Sequence, residues 1–145
     1  MTKQEKKIAV IREENKIHLL KFEEWLTDKN FSKKTIDNHV SNVSFYINHC
    51  LVYDEPQSVT SGCDNGNLNY FFGYWFNKKA SWASGSHIRR NAASFKKFYT
   101  FLLEKSVIKQ SDYDELCETI KLDMSERLEI MVNCDTHGIN KNGEM

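Results

Sequence analysis

The sequence predicts an all-α bundle of four main helices followed by an acidic C-terminal helix. Three observations carry this expectation. One proline and six glycines in 145 residues leave few places for tight turns, which argues against an all-β arrangement. Apolar residues recur at spacings of three and four along most of the chain, the period of one helix face. Ser32 and Ser111 each stand just before such a stretch, where a hydroxyl can accept from the free N–H groups of a first helical turn.

The first helix is expected from residue 4 to about residue 28. Ile8, Ile11, Leu19, Phe22, Trp25 and Leu26 share a stripe. Asn15 and His18 interrupt it, so its first turns are left either solvated or packed elsewhere. KNFSK breaks this helix, and Ser32 opens the second, which runs from Lys33 to about Tyr53. Ile36, Val40, Val43, Ile47 and Leu51 form its buried stripe. Lys33, Lys34 and Thr35 fill its first turn, with Asn38 and His39 one turn on. Two lysines at a helix N-terminus oppose the macrodipole, and a bound phosphate would relieve that conflict.

Glu55-Pro56 ends the second helix, because the residue before proline disfavours the helical conformation. Residues 57–66, QSVTSGCDNG, read as a polar loop. A short third helix follows from about Asn67 to Lys78. It carries Leu68, Phe71, Phe72, Trp75 and Phe76, which at helical spacing are core rather than a base-stacking platform. Lys78, Lys79 and the loop ASWASGS lead onward, with Trp82 read as a lid over the core.

The stretch from Ser84 to Lys105 is the most informative. Ile88, Ala92, Phe95, Tyr99 and Leu102 make one apolar face, with Phe98 and Phe101 beside it. His87, Arg90, Ser94 and Lys97 make a second face, cationic and free of carboxylates. A basic stripe of this kind is often only a solvated surface, and it is also the electrostatic part of a nucleic-acid footprint. After Lys105, Ser111 is expected to cap a last helix with Asp112, Asp114 and Glu115 in its first turn, where acids suit the dipole. Tyr113, Leu116, Cys117, Ile120, Met124, Leu128 and Met131 continue its stripe, either as one helix to about Asn133 or as two broken near residues 123–125. The final DTHGINKNGEM lacks periodicity and reads as frayed.

Formal net charge is zero, but it is unevenly spread. Residues 1–31 hold seven Lys/Arg against six Asp/Glu, residues 32–105 nine against five, and residues 106–145 four against nine. A basic middle followed by an acidic end marks a candidate polyanion site with its own counterweight. Cys50, Cys63, Cys117 and Cys134 are widely spaced with no C-x-x-C pair, which fits reduced thiols in a cytoplasmic protein. No apolar run reaches a membrane-spanning length and no signal-peptide core opens the chain. The motifs of serine hydrolases, zinc proteases and phosphate-cradling glycine loops are missing, and the histidines show no metal-ligand spacing with the cysteines. The expectation is a non-enzyme with no cofactor, no metal and no small-molecule substrate.

Four phrases in order then carry a resemblance. FEEWL (Phe22 to Leu26), SKKTI (Ser32 to Ile36), SGSHIRR (Ser84 to Arg90) and FYTFL (Phe98 to Leu102) resemble the N-terminal SAM-like, or core-binding, domain of the tyrosine recombinases, the phage integrases. The resemblance covers roughly residues 15–108, so the expected division is a DNA-binding helical domain over 1–108 and an acidic helix and tail over 109–145. It implies half of a C-shaped clamp on duplex DNA, used in site-specific integration and recombination, with sequence-specific or structure-guided binding. It also implies recombinase protomers as partners. The matching positions are Lys33, Lys34, Thr35 and Asn38 on one helix and Ser84, Ser86, His87, Arg90, Ser94 and Lys97 on the other. Arginine can donate two bonds to guanine and asparagine can pair with adenine, while lysines and hydroxyls mostly hold phosphates.

The departure from that family is equally plain. Its members cut DNA with a separate C-terminal domain bearing an Arg, a His-x-x-Arg and a tyrosine nucleophile. No His-x-x-Arg follows residue 108. The expectation is a DNA-binding piece or small relative that does not cut DNA by itself. The alternative function is a helical protein–protein interaction module, using the groove between its first and last helices, with an incidental basic face. The acidic residues 111–134 are expected either to lead toward a missing domain or to fold back on the basic face and weaken DNA binding.

Overall fold

The structure is a computed structural model that describes residues 1–75 and 85–135, with side chains for 1–73 and 87–122. Trp82, Phe76 and the final stretch beyond residue 135 lie outside the described residues, as do the side chains of Trp75, Met124, Leu128 and Met131. The described residues are mostly helical and contain no strand, so the expected all-α bundle is what the chain forms.

Helix α1 spans Lys3–Asp28, and Thr2 and Glu5 cap it reciprocally: Glu5 N–H donates to Thr2 Oγ1 and Thr2 N–H to Glu5 Oε1. Its far end closes with Asn30 in the left-handed region (φ 67°). Phe31 N–H reaches back to Leu26 O and Asn30 N–H to Thr27 O, which satisfies the last carbonyls and reverses the chain. Ser32 then caps α2 by accepting from Thr35 N–H at 3.2 Å. Helix α2 runs Lys33–Phe45, widens into a π-helical turn at Tyr46–Cys50 and ends at Leu51–Tyr53.

That π turn explains the interruption in the α1 stripe. A widened turn leaves carbonyls without their usual helical donor. Asn15, 1% exposed, donates to Ile47 O and Asn48 Oδ1, and Arg12 donates twice to Asn48 O. So Asn15 is not a solvated gap but a buried polar link between α1 and α2.

Residues 57–66 depart from the expected polar loop. Val59–Cys63 form a 3₁₀ turn whose Val59, Gly62 and Cys63 are buried. Two core tyrosines end on it: Tyr46 Oη donates to Gly62 O at 2.7 Å and Tyr99 Oη to Val59 O at 2.8 Å. Gly62 must lack a side chain, because a Cβ there would collide with the Tyr99 hydroxyl and press on the Tyr46 ring. Asp64 caps α3, accepting from Asn67 N–H. Helix α3 covers Asn65–Tyr70 and continues as a second π turn, Phe71–Trp75.

Helix α4, Gly85–Glu104, is the centre of the molecule. The Tyr46 ring stacks on Phe95 at 4.4 Å, and Phe71 and Phe72 close around the same ring. Phe22 of α1 meets Phe98 and Phe101. Helix α4 ends like α1, with Ser106 left-handed (φ 62°) and Val107 N–H bonded to Leu102 O. Helix α5 is one continuous helix, Gln110–Asp135. It starts before Ser111, and Asp112 Oδ2 accepts from Lys109 N–H at 3.0 Å, so Asp112 rather than Ser111 satisfies that end. Leu116 and Ile120 enter the common core, and Asn65 ties α3 to α5 through Glu115 and Thr119.

Candidate nucleic-acid interface

Helices α2 and α4 cross at Ser94. Its hydroxyl is fully buried, 2.8 Å from His39 Nδ1 and 3.0 Å from Asn42 Nδ2, which donates to it. A hydroxyl that accepts from Asn42 has its own proton left to give, and His39 Nδ1 can take it in the tautomer that leaves this nitrogen bare. Burial first, and then the positive Lys97, push the His39 pKa down, which favours that neutral ring.

This overturns the expectation that Ser94 faces outward. The reason is the breadth of the buried side of α4. Ile88, Asn91, Ala92, Ser94, Phe95, Phe98, Tyr99, Phe101 and Leu102 are all buried, against four other helices. At about 100° per residue, the exposed remainder is an arc with Arg89 and Lys96 toward one edge and Arg90 and Lys97 toward the other. The stripe His87, Arg90, Ser94, Lys97 straddles that second edge. Arg90 is exposed, His87 and Lys97 are half-buried, and Ser94 lies under α2.

At the start of α2, Lys33, Lys34 and Asn38 are exposed and Thr35 is half-buried. The Thr35 hydroxyl accepts from Ser32 Oγ at 3.0 Å and so belongs to the cap. Lys33 Nζ lies 3.3 Å from Asp37 Oδ2. An exposed pair one turn apart contributes only about 0.3–0.5 kcal/mol, little resistance to a competing phosphate. Lys97 Nζ sits 5.0 Å from the Phe31 ring centre, and Phe31 meets His39 edge-on at 6.3 Å. These contacts bring Lys97 beside the start of α2. Arg90 lies one turn before Ser94 on α4, and Lys34 five residues before His39 on α2, roughly 6 Å and 7.5 Å along their axes. Lys97 therefore lies with Lys34 on one side of the polar crossing, and Arg90 on the other. The side chains of Ser84 and Ser86 lie outside the described residues.

Sequence reasoning sets Arg89 aside, as a residue pointing about 100° away from Arg90, and leaves Lys96, His39 and Asn42 out of the site. The first two had a signal: Arg89 and Lys96 are seven residues apart, the spacing that links Arg90 to Lys97. The last two had none within α2, since their role is set by a serine more than fifty residues away.

Among the described residues no three His, Cys, Asp or Glu side chains gather as metal ligands, and no helix is long and apolar enough to cross a membrane. Cys50, Cys63 and Cys117 are free thiols. Burial pushes Cys50 and Cys63 up to about 12, so neither supplies a thiolate at neutral pH. Comparison with family models, with curated proteins and with solved structures finds no match to this chain.

Proposed function

We propose that this chain binds double-stranded DNA as the core-binding domain of a site-specific tyrosine recombinase, holding the duplex without cutting it. The observation that carries the reading is the exposed arc of α4. It presents Arg89, Arg90, Lys96 and Lys97 with no carboxylate before Glu104. It crosses the helix whose exposed start holds Lys33, Lys34 and Asn38. The four sequence phrases that resemble recombinase core-binding domains support the same reading. In it, Arg90 reaches a base edge, Asn38 pairs with adenine, and the lysines hold phosphates.

The test is titration of a labelled duplex with the full chain and its variants, with melting curves to confirm folding. Arg90→Ala is expected to weaken binding by roughly 1–3 kcal/mol and relax sequence preference, and Lys34→Ala to weaken all sequences alike. Unchanged binding in both variants would defeat the reading. One observation favours the interaction-module alternative: Val10, Ile17 and Leu20 of α1 are each about half exposed or more. A chain that binds no duplex but loses a protein partner on Ile17→Lys would establish that alternative instead.

A further inference from the structure

A cleft of about 430 Å³ opens between the end of α1, the exposed arc of α4 and the first turns of α5. Trp25, Lys29, Lys96, Lys97, Thr100 and Glu104 line it, with Ala93 and Tyr113. Three of these residues are lysines. Lys29 Nζ is held 4.7 Å over the Trp25 ring of the cleft wall, a contact that keeps this ammonium group at the cleft, while Lys97 Nζ sits 5.0 Å from Phe31, at the side of the cleft toward the start of α2. Among the described residues, no carboxylate pairs with Lys29, Lys96 or Lys97. The one acid in the lining, Glu104, accepts the Trp25 indole N–H at 3.0 Å, two turns beyond Lys97. Ala93, with its single methyl group, leaves room on the α4 side. The Thr100 hydroxyl donates to Lys96 O at 2.7 Å and lies 2.9 Å from the Tyr113 hydroxyl, which fixes the polar wall.

We infer that this cleft is a phosphate-binding site in which Lys29, Lys96 and Lys97 hold a backbone phosphate of the bound duplex, beyond the contacts of the outer face. Three unpaired ammonium groups around one concavity repel each other, and a phosphate placed among them removes that repulsion while accepting from each. Continuity decides the source of the phosphate. Lys97 belongs both to the cleft and to the edge that carries Arg90, and Arg89 extends the Lys96 side along α4. A polyanionic strand lying on the arc thus reaches the cleft without crossing an acidic residue. The inference rests on the duplex-binding reading for that source.

The experiment has two arms on the full chain. In the first, duplex binding is followed against salt for the unaltered chain, Arg90→Ala, the double variant K29Q/K96Q and the exposed control Lys121→Gln. The double variant is expected to lower the magnitude of the log–log salt slope by about one and to weaken binding on every sequence, with the control unchanged. In the second, tripolyphosphate is titrated while the Trp25 indole N–H resonance is followed. A saturable shift is expected that K29Q/K96Q abolishes. If Arg90→Ala weakens binding and K29Q/K96Q matches the unaltered chain in both arms, the cleft inference falls while duplex binding stands. If no duplex binds but tripolyphosphate does, through these lysines, the cleft is a site for a free phosphate compound and the duplex reading falls. If neither binds, both fall.

Discussion

At the scale of single residues, the polar crossing is the most demanding feature. Ser94 serves two partners from α2, and removing its oxygen leaves the Asn42 amide and the His39 ring nitrogen without a mate. Ser94→Ala is therefore expected to cost about 1–3 kcal/mol, read from denaturant unfolding. A loss below the error of the fit would mean the crossing relaxes or admits water. His39 also gives the molecule a pH dependence of fixed sign. Its pKa is lowered in the fold by burial and then by Lys97. The unfolded ring, near 6.5, binds more protons as the pH falls. The stability that this neutral ring contributes is present above about 6.5 and is lost as pH drops through the folded-state value. His18 is shifted the same way, by burial first and then Lys21, with Glu14 opposing. The melting temperature is expected to fall between pH 7 and pH 5, and less steeply in His39→Gln. Equal slopes in the two proteins would remove His39 from this account.

At the scale of elements, what could be read from the sequence was whatever a segment decides for itself. The apolar period of Ile88, Ala92, Phe95, Tyr99 and Leu102 located α4 and its buried face. The Ser32 hydroxyl located the start of α2. What could not be read was set by partners distant in sequence. QSVTSGCDNG has the composition of a loop, yet its Gly62 and Val59 carbonyls accept from the hydroxyls of Tyr46 and Tyr99 respectively, and only the packed core reveals that. Asn15 broke a stripe because its partner is a π turn that no local pattern announces. Two substitutions probe this scale. Gly62→Ala is expected to destabilise by about 1–3 kcal/mol through overpacking against Tyr99. Ser106→Gly is expected to stabilise by about 0.5–1 kcal/mol, because a left-handed position favours glycine and the gain is reduced by the looser unfolded chain. A melt left unchanged or raised by Gly62→Ala, or one lowered by Ser106→Gly, would show that these turns are not held as described.

At the scale of the whole molecule, one core joins all five helices and leaves the cations on its outside. Leu116 and Ile120 of α5 belong to that core, so removing the chain from residue 109 takes two core side chains with it and is expected to destabilise the rest. A cut after Leu122 avoids them and removes five Asp/Glu against two Lys/Arg. That truncation is expected to raise duplex affinity at low salt if the acidic segment screens the basic arc, and equal affinities would exclude screening. The central claim, that the cationic arc of α4 and the start of α2 meet a duplex, is tested most directly by the salt dependence of duplex binding by the full chain. The logarithm of the binding constant is expected to fall linearly with the logarithm of salt, with a slope near −0.9 for each phosphate held. Several contacts would give a slope of about −3 or steeper. No measurable binding at low salt, or a binding constant indifferent to salt, would contradict the claim.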